Sequence, residues 1–139
     1  MPSDENALLY PGSCQCGSLR YVVTGEVEAF ICHCNDCRAN SGAPCSAWGK
    51  INKDAFSLLS GELKDFSSST GVTWSFCQAC GTSIRYQSEE SHPYMDFMLC
   101  TLDSPGDMAP EYHVQMQEKL PWLEITDNLP AYEKWSPAK

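Results

Sequence analysis

Nine cysteines in 139 residues constrain this chain more than any other feature. Seven fall into three tight groups, Cys14-x-Cys16, Cys32-x-Cys34-x-x-Cys37 and Cys77-x-x-Cys80, while Cys45 and Cys100 stand apart. Thiols one or two residues apart suit metal knuckles better than disulfide bridges, whose Cα atoms need more separation than neighbours on a tight turn provide. The odd count and the N-terminus point the same way. Met1-Pro2-Ser3-Asp4-Glu5-Asn6 is acidic and lacks the basic and apolar regions of a secretory signal, so a cytoplasmic chain with reduced thiols is expected.

Length and charge bound the partners. The chain suits one domain: an acidic tail over residues 1–9, a zinc-binding domain over 10–131 and a C-terminal tail over 132–139. A formal charge of −9 makes phosphate-held partners unfavourable, which argues against nucleic acid and anionic membranes. No run approaches the roughly 18 to 20 apolar residues needed to span a bilayer.

The chain reads as all-β, built from short strands. Leu19–Thr24 and Val27–Cys32 are rich in β-branched and aromatic residues, and the second leads into the three-thiol group. Asn35 or Asp36 is placed to cap about one helical turn that Gly42 ends. Further strands are expected at Ser46–Ile51, Val72–Phe76, Thr82–Gln87, Tyr94–Leu102 and Tyr112–Met116. Phe56–Leu59 and Leu63–Phe66 flank Ser60-Gly61-Glu62 as a hairpin, Ser67–Gly71 is a loop, and Ala131–Trp135 forms at most a terminal helical turn. The fold class expected from these patterns is all-β, made of many short strands joined by knuckles of the zinc-ribbon kind.

Cys77-x-x-Cys80 followed by Gly81 is a strong knuckle, and Cys14-x-Cys16 followed by Gly17 is its complement for a closed four-thiolate site. Spacing leaves other pairings open, because Cys32, Cys34 and Cys37 can also recruit Cys77 or Cys45, and the thiols can hold an iron–sulfur cluster.

The motifs C-x-C-G, C-H-C-x-x-C-R followed by S-G-A-P, F-C-x-x-C-G-T, T-L-D-x-P and H-(x)n-P-W-x-x-x-x-D-x-L-P closely resemble the glutathione-dependent formaldehyde-activating enzyme family, which includes centromere protein V homologues. The resemblance covers residues 10 to about 131. It implies a fold of several coiled β-sheets and two Zn²⁺ per chain. One is a structural zinc at Cys14, Cys16, Cys77 and Cys80; the other is a catalytic zinc at Cys32, Cys34 and Cys37. It also implies a carbon–sulfur lyase-type activity, the condensation of glutathione with formaldehyde to S-(hydroxymethyl)glutathione.

Three thiolates on zinc leave one position free and suit holding a substrate thiol as thiolate better than activating water. A nearby acid must then protonate the alkoxide, and His33, Asp36 and His113 are the candidates. Arg38 is placed to receive a substrate carboxylate. The expected partner is a small molecule, with glutathione as one possibility. Two other readings stand beside this one: an isomerase or lyase on a dedicated metabolite, and a zinc-stabilised protein-binding module. Cys45 and Cys100 read as buried small hydrophobes, Trp48, Trp74 and Trp122 as core or groove wall.

Overall fold

The protein is described by a computed structural model covering residues 8–136; the expected tail segments 1–7 and 137–139 lie outside the described residues. Among the described residues, ten strands form two sheets. The smaller sheet orders β1 (Leu9–Ser13), β2 (Arg20–Thr24) and β5 (Phe56–Ser60) as β1-β2-β5. The larger sheet contains β3 (Glu28–Cys32), β4 (Ser46–Asn52), β6 (Leu63–Ser69), β7 (Val72–Cys77), β8 (Ser83–Ser88), β9 (Tyr94–Met98) and β10 (His113–Val114) in the order β10-β3-β4-β9-β8-β7-β6. Pairing is antiparallel throughout except between β10 and β3, which run parallel. The mostly-β class read from the sequence is the class observed.

Register sorts the larger sheet into two faces, because directly paired residues point the same way. Ala29 pairs Gly49, which pairs Phe97, and this face packs on the smaller sheet: Ala29, Ile51, Met95 and Phe97 share a buried core with Leu19, Tyr21 and Val23. The other face carries Cys32 opposite Ser46, Phe30 opposite Trp48 and Glu28 opposite Lys50. It continues through Met98 and Asp96 of β9 to Tyr86 of β8 and Trp74 of β7. A second buried cluster forms there from Phe30, Cys32, Cys37, Trp48, Trp74, Tyr112 and Val114.

Several local expectations differ from this arrangement. Phe56–Leu59 and Leu63–Phe66 form strands but no hairpin. β5 pairs β2 in one sheet and β6 pairs β7 in the other, so Gly61 carries the chain between sheets. Ser67–Ser69 extends β6 in place of a loop, since β7 offers a partner. The apolar run Tyr94–Leu102 is strand only to Met98 and then turns as a 3₁₀ segment, Leu99–Thr101. Residues 131–135 form no helical turn: Ala131 bridges His113 in parallel, and the Gln115 amide donates to the Lys134 carbonyl at 2.7 Å. Cys100 is exposed rather than buried, Cys45 is half-buried, and Trp122 is 68% exposed while Trp48 and Trp74 are buried.

Candidate metal centres and their surroundings

The turn after β1 and the turn after β7 bring four thiols together. The sulfurs of Cys14, Cys16, Cys77 and Cys80 all lie within 4.8 Å of one another. Each turn ends in a glycine at φ +84°, Gly17 and Gly81, a conformation that a Cβ would strain. The turns are near copies. The Cys16 sulfur lies 3.1 Å from the Ser18 hydroxyl and the Cys80 sulfur 3.1 Å from the Thr82 hydroxyl. That hydroxyl, with the Thr82 and Cys16 amides, holds the Cys80 thiol down at about 5. Because β1 belongs to the smaller sheet and β7 to the larger, this cluster stands where the two sheets meet. The Gln15 amide donates across the junction to the Thr82 hydroxyl at 3.1 Å.

The second cluster is local in sequence. Cys32 ends β3, Cys34 caps the only α-helix among the described residues, α1 (Asn35–Ser41), and Cys37 lies in its first turn. Their sulfurs also lie within 4.8 Å of one another, and no fourth His, Cys, Asp or Glu among the described residues joins them. The helix cap is the Cys34 sulfur, which accepts the Cys37 amide at 3.2 Å, rather than Asn35 or Asp36. Gly42 at φ 72° closes the helix as expected.

Electrostatics in this cluster shows what it is suited to hold. Hydrogen bonds from the Cys32 and Cys37 thiols hold the Cys34 thiol down at about 2, while those same contacts push Cys32 up to about 12 and Cys37 higher still. Three thiolates this close repel one another, so they ionise together only around a cation. Soft thiolates select zinc or a similarly thiophilic ion. Both donor sets therefore fit a metal ion, the first closed with four sulfurs, the second open with three.

The sequence-derived candidates fall around the second cluster as follows. The Arg38 guanidinium donates to the carbonyls of His33 and Glu118 and to the Asn35 side chain, pinning the thiol loop to the 116–118 turn. The Asn35 amide adds a bond to the Glu118 carboxylate at 2.7 Å. Asp36 is exposed in the first helical turn. His33 is fully buried, and its Nε2 lies 2.9 Å from Nδ1 of His113, whose Nε2 lies 2.8 Å from the Asp127 carboxylate.

This chain assigns its protons. Asp127 accepts, so His113 carries hydrogen on Nε2 and accepts at Nδ1 from His33 Nε2–H; His33 Nδ1 is then a bare acceptor with no partner in its buried position. Burial, with the cationic Lys119 and Arg38 nearby, pushes the His33 imidazole down to about 4, which keeps it neutral. The Trp48 indole donates to the Cys37 sulfur at 3.4 Å.

Two features escaped the sequence. Asp127 stands in the motif P-W-x-x-x-x-D-x-L-P, but its pairing with His113, 14 residues away, had no local signal. Asp96 had one: it is the only charged residue in the run Tyr94–Met98.

The sequence matches the family model described as glutathione-dependent formaldehyde-activating enzyme over residues 9–118. No curated protein matches the chain significantly. Among solved structures it is similar to a crystal structure of a Rhodobacter sphaeroides protein determined as a structural-genomics target. That likeness has a TM-score of 0.59 at 20% identity and covers 72% of this chain and 97% of that one. It extends to the fold.

Proposed function

Because the chain belongs to the glutathione-dependent formaldehyde-activating enzyme family, we propose that it is a zinc-dependent carbon–sulfur lyase-type enzyme that joins a small thiol to a small aldehyde. S-(hydroxymethyl)glutathione synthesis is the reference reaction. The observation that carries this reading is the three-thiol cluster with no fourth protein ligand among the described residues, set on the sheet face turned away from the core.

Zinc held there would supply the charge that keeps a substrate thiol, ordinarily near pKa ~8.5, ionised at neutral pH, and would leave one position for it. The closed cluster of Cys14, Cys16, Cys77 and Cys80 takes the structural ion. In the reaction the substrate thiolate adds to the aldehyde carbon, a carbon–sulfur bond forms, and the carbonyl electron pair moves to oxygen, which takes a proton. The chain's own residues hold the geometry. Trp48 orients the Cys37 sulfur, and Arg38 ties the loop through the His33 carbonyl. His33 and His113 hold each other and Asp127, so they position the loop. Of the three candidates, Asp36 is the one exposed and outside the histidine chain, and it is the one we assign to pass a proton. The nine free cysteines fit a reducing compartment, the cytoplasm.

Exchange spectroscopy on ¹³C-formaldehyde with glutathione tests the reading. The metal-loaded protein should accelerate interconversion of aldehyde and adduct above the spontaneous rate. Cys34→Ser should abolish the effect while keeping the fold. No acceleration with any thiol would remove the proposal.

A further inference from the structure

The face of the larger sheet that carries Cys32 continues past the thiols. Register places Phe30 and Trp48 in the next row and Glu28, Lys50 and Asp96 in the row beyond, with Tyr86 opposite Asp96. A cleft of about 390 Å³ opens over these rows, and Phe30, Tyr86, Tyr94, Tyr112 and Trp135 supply its aromatic lining. Phe30, Tyr112 and Val114 line this cleft and also pack with Cys32 and Cys37 in one buried cluster, so the cleft and the thiol site share a wall. From Cys32 to Glu28 the strand advances about 13 Å at roughly 3.3 Å per residue.

Charge in the cleft has one dominant sign. Asp96 and Glu90 line it against Lys50. Glu28, which accepts the Tyr112 hydroxyl, lines the adjoining cleft that shares Lys50, Tyr94 and Tyr112. The Lys50 ammonium rests 4.6 Å above the centre of the Tyr94 ring, so this wall already accommodates an organic cation. Burial pushes the Asp96 carboxyl up to about 7, Lys50 pulling it down and Glu28 pushing it up, with no hydrogen bond among the causes. A cation beside such a carboxyl stabilises its charged form.

We infer that this cleft is the specificity pocket of the three-thiol site and selects a thiol whose far end, about 10–13 Å from its sulfur, is an organic ammonium rather than a carboxylate. The inference rests on the reading that a substrate sulfur is held at Cys32, Cys34 and Cys37. It ranks glutathione, which is net anionic at neutral pH, below an amine-tailed thiol of similar length.

A matched series tests this on the full chain, with cobalt at the three-thiol site reporting thiol binding through its absorption. 8-Aminooctane-1-thiol should bind about tenfold tighter than 8-mercaptooctan-1-ol, and 8-mercaptooctanoic acid more weakly still. Asp96→Asn should bring the amine and the alcohol to within about twofold, whereas Lys50→Met, which removes the competing ammonium, should tighten the amine further. Cysteamine and 2-mercaptoethanol, too short to reach the Asp96 row, should differ by less than about twofold. Equal binding across the eight-carbon series, or a preference for the acid that Lys50→Met abolishes, would overturn the inference.

If no thiol changes the cobalt spectrum, the reading of the thiol site fails, and the pocket is judged alone with n-hexylammonium chloride. Shifts in the ring signals of Tyr86 and Trp135 that Asp96→Asn removes would support it, and the absence of such shifts would overturn it.

Discussion

The two cysteine clusters use the same ligand atom for opposite ends. The four-thiol cluster draws its ligands from two turns about sixty residues apart, one on each sheet, with Cys16 and Cys80 exposed and hydroxyls beside them. The three-thiol cluster comes from one six-residue stretch, with Cys32 and Cys37 buried under Trp48 on an aromatic face. An ion in the first closes a long loop and joins the sheets, so its binding energy is folding energy. An ion in the second would crosslink a segment already fixed by α1 and Arg38, and on the proposed reading it would keep one coordination position for substrate. Location in the fold, more than ligand type, separates support from chemistry.

The sharpest way to break this contrast is to remove one ligand from each cluster. Cys77→Ser should cost several kcal/mol and leave no cooperative unfolding transition by circular dichroism. Cys34→Ser, which preserves a helix cap, should keep the unfolding midpoint near that of the parent and lose thiol-dependent turnover. Equal damage from both would erase the distinction.

Next in size is His113→Leu, which strands a buried His33 N–H and should cost about 2–4 kcal/mol. A zinc assay during mild chelation should show the three-thiol cluster losing its ion first in this variant. Loss from both clusters at the same rate would mean that the histidine chain serves the whole fold.

Asp96 sharpens the comparison from the other side, because it is a destabilising group on the functional face. Its carboxyl is raised to about 7 from an ordinary 3.8, so folding is favoured while it is protonated, and that contribution is lost as pH rises through about 7. Asp96→Asn should therefore be more stable than the parent at pH 8, by roughly 1–3 kcal/mol after solvent screening, and indistinguishable below pH ~4. Urea melts at the two pH values check the sign.

The smallest effect on the site is expected from Trp48→Phe, which removes one N–H···S contact to Cys37 and should weaken thiol binding by about 0.5–1.5 kcal/mol, with a stability loss of about 1–2 kcal/mol from the cavity left by the buried indole. Ser18→Ala, the matching change beside the four-thiol cluster, should leave thiol binding untouched.

Much of this was legible because it is local. β3, β4, β7 and β8 stand close to where alternation placed them, and Gly17, Gly81 and Gly42 take the left-handed backbone their positions imply. Errors came where a partner decided the outcome. Ser67–Ser69 is polar and loop-like but becomes strand because β7 lies beside it. Leu99–Leu102 is apolar but leaves β9 for a 3₁₀ turn. The helix cap was sought among Asn35 and Asp36, whereas the thiol one residue earlier performs it. Glu28 and Tyr112 carried no signal, and the motif that holds Asp127 did not show its partner, since each acquires its role from a residue at least 14 positions away.

The sequence by itself determined the ligand groups, the glycines that let two of them turn tightly, and the all-β pattern, because spacing and backbone sterics act over a few residues. The tertiary structure alone brought the Cys14 turn to the Cys77 turn and placed Cys32, Trp48 and Asp96 on one face of the sheet. Both outcomes depend on strand register between distant segments, and register follows from packing the opposite face, Ala29, Ile51 and Phe97, onto the smaller sheet.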